Sequence, residues 1–374
     1  MSEHLSEIEV ILKKSRVIVT VGSGGVGKTT SSIAMALIGA RLGKKVGLLS
    51  IDPAKRLADA LGIKLGSELR RVELKANIKG TLDAAMLDQK AVFDQMVTRF
   101  APNPQVAQKI FQNSIYKEVS TNLGGPLEYM ALAKLETMLR TGGYDLIIID
   151  TPPDSHALDF LARPNILAGF VETGVMSWMI KPFHIAQKLG AGAIFKAGGK
   201  IMGGISSITG MKMLKLLAEF LVMMEDVIIG FNRVGRDVSI ALKADSTGFV
   251  LVSAPYNNAV RSAQHLLKEL KANNYPLLAL IMNRNLPFDL QRSIRGYSKT
   301  GAVDPLLTPG FDIIASRQQY AASLAEQLLV KARESAGKGV HLLLLEEQGQ
   351  MIHSEETLWS FADALCKART FGDE

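Results

Sequence analysis

The chain is almost without cysteine. Cys366 is the only one among 374 residues, so no disulfide framework and no cysteine-rich zinc site can form within one chain. That usage suits a reducing cytoplasm. A long hydrophobic run is also missing: nothing reaches the roughly 18 uninterrupted apolar residues of a membrane span. Residues 189–231 come nearest, but Lys196, Lys200, Lys212, Lys215, Glu219, Glu225 and Asp226 interrupt them. The opening MSEHLSEIEVILKKS has no apolar core of a signal peptide. Acidic residues are absent from Thr173 to Ala218, where six lysines stand (181, 188, 196, 200, 212, 215), so one segment carries most of the net charge of +7. Apolar residues make up 47% and charged residues 21%, which allows a sizeable core. These features predict a soluble, cytoplasmic protein, with room for a peripheral role at a membrane.

Short β-branched runs alternate with helical patterns, as in a mostly parallel sheet built from βαβ units. The expected strands are Arg16–Val21, Val46–Ile51, Leu82–Leu87, Leu146–Asp150, Phe249–Ala254, Leu278–Asn283 and Phe311–Ala315. Apolar stretches such as LIIID and FVLVSA suit strands covered on both faces. The fold class is therefore α/β, a doubly wound sheet with an inserted helical subdomain. Residues 1–89, 140–164 and 227–335 form the sheet domain in this reading. Residues 90–139 and 165–226 form the insert, and 336–374 a C-terminal extension without a readable role. The second part of the insert holds seven of the fifteen methionines and seven glycines between 190 and 210.

The strand RVIVTV leads into Gly22, Ser23, Gly24, Gly25, Val26, Gly27, Lys28, Thr29 and Thr30, then into a helix. This is the G-x-x-x-x-G-K-T phosphate loop in its strand–loop–helix setting. Its glycines let successive N–H groups face the phosphates, and the helix N-terminus adds its positive dipole end. Lys28 is expected to bridge the outer phosphates of ATP, with the Thr29 hydroxyl on Mg²⁺.

Two aspartates end strands nearby. Asp52 can orient an attacking water or hold a metal-bound one, or can cap a helix that Pro53 begins. Asp150 closes a buried strand, where a Mg²⁺-holding carboxylate is expected. Asn283 ends a later strand, and an asparagine amide there can read adenine or simply form a turn.

These motifs together resemble the ArsA and tail-anchored-protein-targeting branch of the ParA/MinD/ArsA group of P-loop ATPases. GSGGVGKTT is similar to that group's deviant phosphate loop, in which a lysine precedes the paired glycines and reaches the partner's nucleotide across a dimer interface. Ser23 occupies that position here. Asp52-Pro53-Ala54 with Asp59 looks like the branch's first switch, which implies that Asp52 positions the hydrolytic water. Asp150-Thr151-Pro152-Pro153 followed by His156, Leu158 and Leu161 resembles its second switch, which assigns Asp150, Thr151, Pro153 and His156 to sensing the nucleotide state. The family places its adenine-reading asparagine at the position of Asn283.

The resemblance implies an ATP hydrolase that closes as a dimer. Since Ser23 supplies no cation, the partner is either a second copy or a lysine-bearing paralogue. The single cysteine argues against a metalloid-pump ATPase with a thiolate site, the third reading after a ParA/MinD-like scaffold with little hydrolysis. The insert instead offers methionines, which repack around varied apolar surfaces. Met211, Leu214, Leu217, Leu221 and Met224 lie at helical spacing, either as core or as a face for an apolar helix client or a membrane surface. We expect the client face, and no nucleic acid partner.

Overall fold

The computed structural model describes residues 5–52, 54, 56–76, 78–118, 120, 127–152, 208–291, 293, 308–337 and 339–371. Two compact units emerge: Met1–Leu87, Met138–Ala162 and Ile240–Glu374 in one, Asp88–Thr137 and Arg163–Ser239 in the other.

The first unit is built on a nine-stranded sheet. In chain order its strands are β1 (Val17–Val21), β2 (Lys45–Ser50), β3 (Arg70–Arg71), β4 (Thr81–Met86), β5 (Leu146–Asp150), β6 (Thr247–Ser253), β7 (Leu277–Asn285), β8 (His341–Glu346) and β9 (Arg369–Thr370). They lie in the order β3-β4-β2-β5-β1-β6-β7-β8-β9. All pairings are parallel except those of the two short edge strands, β3 with β4 and β9 with β8. From β1 the chain moves to one side as far as β4, returns through β5, and continues on the other side with β6. The C-terminal end of β1 is therefore the switch point, where doubly wound sheets bind ligands. Strands β1, β5 and β6 are buried at every residue, which explains their uninterrupted apolar sequences.

Helix α1 (Glu7–Lys14) starts from a capping box at Ser6 and Glu9 and buries Ile8 and Leu12. Helix α2 (Lys28–Arg41) follows the phosphate loop and is buried along nearly its whole length, from Ser31 to Ala40 without a break. A short helix α3 (Arg56–Leu61) follows β2.

Helices α4 (Gln89–Phe100), α5 (Pro104–Gln112) and α6 (Ser114–Glu118) belong to the second unit, and α7 (Leu127–Thr141) runs from it into the first. Phe93 stacks on Tyr116 at 5.2 Å between ring centroids and leans on Phe231 at 5.8 Å. Arg99 pairs with the Glu136 carboxylate through both terminal nitrogens. The long helix α8 (Ile208–Leu242) is unbroken, so the sheet unit resumes at Ile240 rather than at 227. Its buried residues Phe220, Met224, Val227, Phe231, Val234 and Val238 repeat at intervals of three and four.

After β6 come α9 (Asn257–Ala272), α10 (Thr308–Ala336) and α11 (Glu355–Cys366). The strand expected at Phe311–Ala315 is instead the second turn of α10. Ile313 is 68% exposed there, so its β-branched chemistry packs into no sheet. Downstream, Leu324, Ala325, Leu328, Leu329 and Ala332 are buried at helical spacing, and they fix the element as a helix. The segment 336–374 is no appendage. β8 pairs with β7, and α11 packs against α2 through Leu358, Phe361, Ala362 and Leu365.

Candidate ATP site

Register places two hydroxyl residues beside Asp150, and α2 adds two more. Thr20 of β1 and Ser50 of β2 are the residues paired with it on either side. The Thr29 hydroxyl donates to Asp150 Oδ2 at 2.9 Å and the Ser50 hydroxyl to the same oxygen at 3.1 Å. Ser32, one turn beyond Thr29 on α2, donates to Thr20 Oγ1 at 2.9 Å and lies 3.4 Å from Asp150 Oδ1. Thr151 ties the end of β5 to β1 by donating to the Thr20 carbonyl at 2.7 Å.

Asp150 is fully buried. Burial pushes its carboxyl up to about 6 and the nearby Asp52 charge adds to this, whereas the bonds from Thr29 and Ser50 and the Lys28 ammonium oppose it. The offset is incomplete, because desolvation outweighs the two hydrogen bonds and the ammonium. Among the described residues no three His, Cys, Asp or Glu side chains gather into a metal cage. One carboxylate with a hydroxyl beside a phosphate loop is instead the donor set that suits Mg²⁺ shared with substrate phosphates. Thr29 and Asp150 fit that ion. Thr20, Ser32 and Ser50 escaped the sequence reading. Their signal was weak but present: isolated hydroxyls inside otherwise apolar strands, and Ser32 three residues after Thr29.

Lys28 is 5% exposed, and its ammonium donates to the Ser23 carbonyl at 2.9 Å, folding back over the loop. Gly22 and Gly27 could not carry side chains. A Cβ on Gly22 would lie 2.2 Å from the Val252 carbonyl oxygen, and one on Gly27 would lie 2.4 Å from Asn283 Nδ2. Gly27 also has φ +98°, in the left-handed region. Gly27→Ala is expected to weaken ATP binding at least tenfold, by strain and collision together. Titration of the purified variant with a fluorescent ATP analogue checks this, and parental affinity would refute it.

Asp52 is 5% exposed beyond the end of β2. Its Oδ1 accepts from the Ala54 N–H at 3.0 Å, and Oδ2 lies 3.5 Å from Arg56 Nη1. It caps no described helix, because α3 begins only at Arg56. Asn283 lies in β7, two residues before its end. Its amide donates to the Val26 carbonyl at 2.9 Å, while its Oδ1 accepts from the Arg284 N–H at 2.9 Å. Cys366 lies apart from this site, with Arg41 Nη2 at 3.2 Å and burial pushing the thiol up.

Pro153 and His156 lie outside the described residues, as do the lysines from 181 to 200 and the side chains of Met211 and Leu214. Of the expected client face, Leu217 is 36% exposed and Leu221 half-buried, with Leu216 beside them at 45%. Met224 is buried at 5%, in the inward stripe of α8, which corrects its assignment to an outer face.

A parallel sheet, a phosphate loop at its switch point and an aspartate at the end of the neighbouring strand define a P-loop ATP hydrolase of the α/β class. The family model for the anion-transporting ATPase matches residues 15–300, and the chain belongs to that family. Curated relatives agree. The chain is 27% identical over 277 residues to an ATPase get3 of Aspergillus terreus, covering 73% of this chain and 74% of that one. It is 26% identical over 275 residues to ATPase get3 of Aspergillus niger, with 73% and 74% covered. Against ATPase GET3 of Paracoccidioides lutzii it is 25% identical over 267 residues, 71% of each chain.

Proposed function

We propose that this ATPase is a Mg²⁺-dependent, nucleotide-driven dimer switch whose helical unit controls an apolar helix client or a membrane-bound partner from the cytoplasm. The observation that carries this reading is the convergence of Lys28, Thr29, Asp150 and Asp52 at the C-terminal ends of β1, β2 and β5. Thr29 and Asp150 would hold Mg²⁺, which would supply positive charge to offset that of the phosphates. The chain's own residues supply the rest. Lys28 leaves the Ser23 carbonyl for the phosphate oxygens, and the loop N–H groups hold them in line. Asp52 orients the attacking water and accepts its proton. Asp150 and Thr29 hold the cation side of the site, and Thr20, Ser32 and Ser50 keep the Asp150 carboxylate in place.

Ser23 cannot reach a partner's nucleotide with a cation, so the partner is a second copy that tolerates serine or a paralogue that brings a lysine. Leu216 and Leu217, apolar and outward on α8, support the client reading. Among the described residues no helix is long and apolar enough to cross a membrane. The test is solution mass by light scattering on Asp52→Asn, with Mg-ATP and without nucleotide. A doubling of mass with Mg-ATP is expected for a self-sufficient switch. A chain that binds ATP yet stays monomeric, alone and with every lysine-bearing paralogue of its own genome, would end the dimer reading.

A further inference from the structure

The strand β8 is remote from the phosphate loop in sequence, yet hydrogen bonds at the two sides of the last residues of β7 tie both to that strand end. We propose that β8 sets the loop through a strut of two asparagines, Asn285 fastening the end of β7 to β8 and Asn283 fastening the loop to the end of β7. The inference deepens the ATP-site reading and rests on the assignment of residues 22–29 as the phosphate-binding loop.

The pairing of β7 with β8 shifts register between Met282 and Asn285. Within that irregularity Arg284 adopts φ +62°, a left-handed conformation that a long side chain rarely takes. Something must hold it, and Asn285 does. This residue is 6% exposed; its amide donates to the Leu345 carbonyl of β8 at 3.1 Å and to the Met282 carbonyl, and its own carbonyl accepts from the Glu347 N–H at 2.8 Å. The Glu346 carboxylate adds a bond from the Phe288 N–H. With the bulge pinned to β8, the Arg284 N–H meets Asn283 Oδ1, and that bond turns the Asn283 amide toward Val26.

Asn283 is 5% exposed and both ends of its carboxamide are used in this way. The Val26 carbonyl it holds belongs to the Val26–Gly27 peptide. In a trans peptide the carbonyl and the following N–H point in opposite directions, so drawing the carbonyl to Asn283 turns the Gly27 N–H away from β7. Three consequences follow for the loop: one peptide plane is fixed, its N–H stays available to a phosphate oxygen, and the Cβ-free Gly27 becomes a steric requirement of the strut. Asn283 and Asn285 are thus positioning residues. In this arrangement Asn283 acts on phosphate binding through Val26, independently of any part its second N–H plays toward a base.

The two roles separate with a ligand that has no base. Inorganic tripolyphosphate, ATP and GTP are competed against a fluorescent ATP analogue on the full-length parent, Asn283→Ala, Asn285→Ala and the double variant. Loss of one buried hydrogen bond predicts about a five- to tenfold weakening of tripolyphosphate in Asn283→Ala, with ATP weakened at least as much. Asn285→Ala, which touches no part of the loop, is expected to weaken both ligands in the same direction. The double variant is expected to be no worse than the weaker single, since both act on one path. Where Asn285→Ala does not fold, Asn285→Asp keeps the shape, removes the donating amide and gives the same comparison. A loss confined to ATP and GTP, with parental tripolyphosphate binding in Asn283→Ala, makes Asn283 a base reader alone and overturns the strut. Parental tripolyphosphate binding in both Asn285 variants overturns the contribution of β8. A parent that binds neither ATP nor tripolyphosphate would remove the phosphate-loop assignment itself, a separate and recognisable failure.

Discussion

An Asp52→Asn chain is expected to bind Mg-ATP as the parent does and to turn it over about 10²- to 10⁴-fold more slowly, the range for loss of a positioned general base. The substitution is conservative where the fold is concerned. The Asn side-chain oxygen still accepts from the Ala54 N–H, now held at 3.0 Å by Asp52 Oδ1. What disappears is the negative charge that draws a proton from water. The pair with Arg56 is lost as well, but the Arg56 side chain is 56% exposed, and such pairs contribute about 1 kcal/mol or less. The melting temperature should therefore move little while kcat collapses. A cap or turn residue would give the opposite outcome, a lower melting temperature with kcat retained. Steady-state hydrolysis, nucleotide titration and a thermal melt on one preparation distinguish the two, and a kcat equal to the parent's would remove the assignment.

Much of this site was legible because it is local. The phosphate loop is one contiguous motif between a strand and a helix, and Asp52 and Asp150 each close an apolar run. Strands buried on both faces, such as LIIID, announce themselves by lacking polar residues. Ser50 and Thr20 were hidden because their importance depends on which strands are neighbours: β5 enters between β2 and β1, and only that insertion brings both hydroxyls to Asp150. Local composition misled in two places. FDIIA is rich in strand formers, yet the spacing of Leu324, Leu328 and Ala332 further along imposes a helix. HLLLLE carries no local sign of its place in the sheet, because its partner β7 lies about sixty residues earlier. Asn283 drew attention as a side chain at a strand end, but the bulge that aims it at Val26 depends on β8 and leaves no local trace. Met224 lay on two overlapping helical stripes, and only burial decides that it belongs to the inward one with Phe220 and Val227.

Asp150→Asn should do two things that are rarely seen together: abolish Mg²⁺-dependent hydrolysis and stabilise the nucleotide-free fold at neutral pH. The first follows from losing the carboxylate that holds the cation side of the site, several kcal/mol of transition-state stabilisation, or about a hundredfold and more in rate. The second follows from burial. The Asp150 carboxyl rises from 3.8 to about 6 in the fold, so the folded chain binds this proton more tightly than the unfolded chain does. Stability from this group is therefore fully present below about pH 4, declines as pH rises toward 6, and stays lost above it, a difference of about 3 kcal/mol at most. Asparagine does not titrate, and its side-chain oxygen can still accept from Thr29 and Ser50. Without nucleotide the variant should accordingly resist urea better than the parent at pH 8, and the gap should close at pH 4. With Mg-ATP at pH 8 the order should reverse, because only the parent gains ligand stabilisation through the cation. At low Mg²⁺, hydrolysis by the parent should fall as pH drops toward 6, when a proton competes with the cation for Asp150, and higher Mg²⁺ should move that fall to lower pH. Denaturation midpoints at the two pH values, with and without Mg-ATP, test the whole argument. An unchanged gap between variant and parent at pH 4 and pH 8 would show that the Asp150 charge carries no folding cost, and with it would go the reason for reading this buried carboxylate as a cation site.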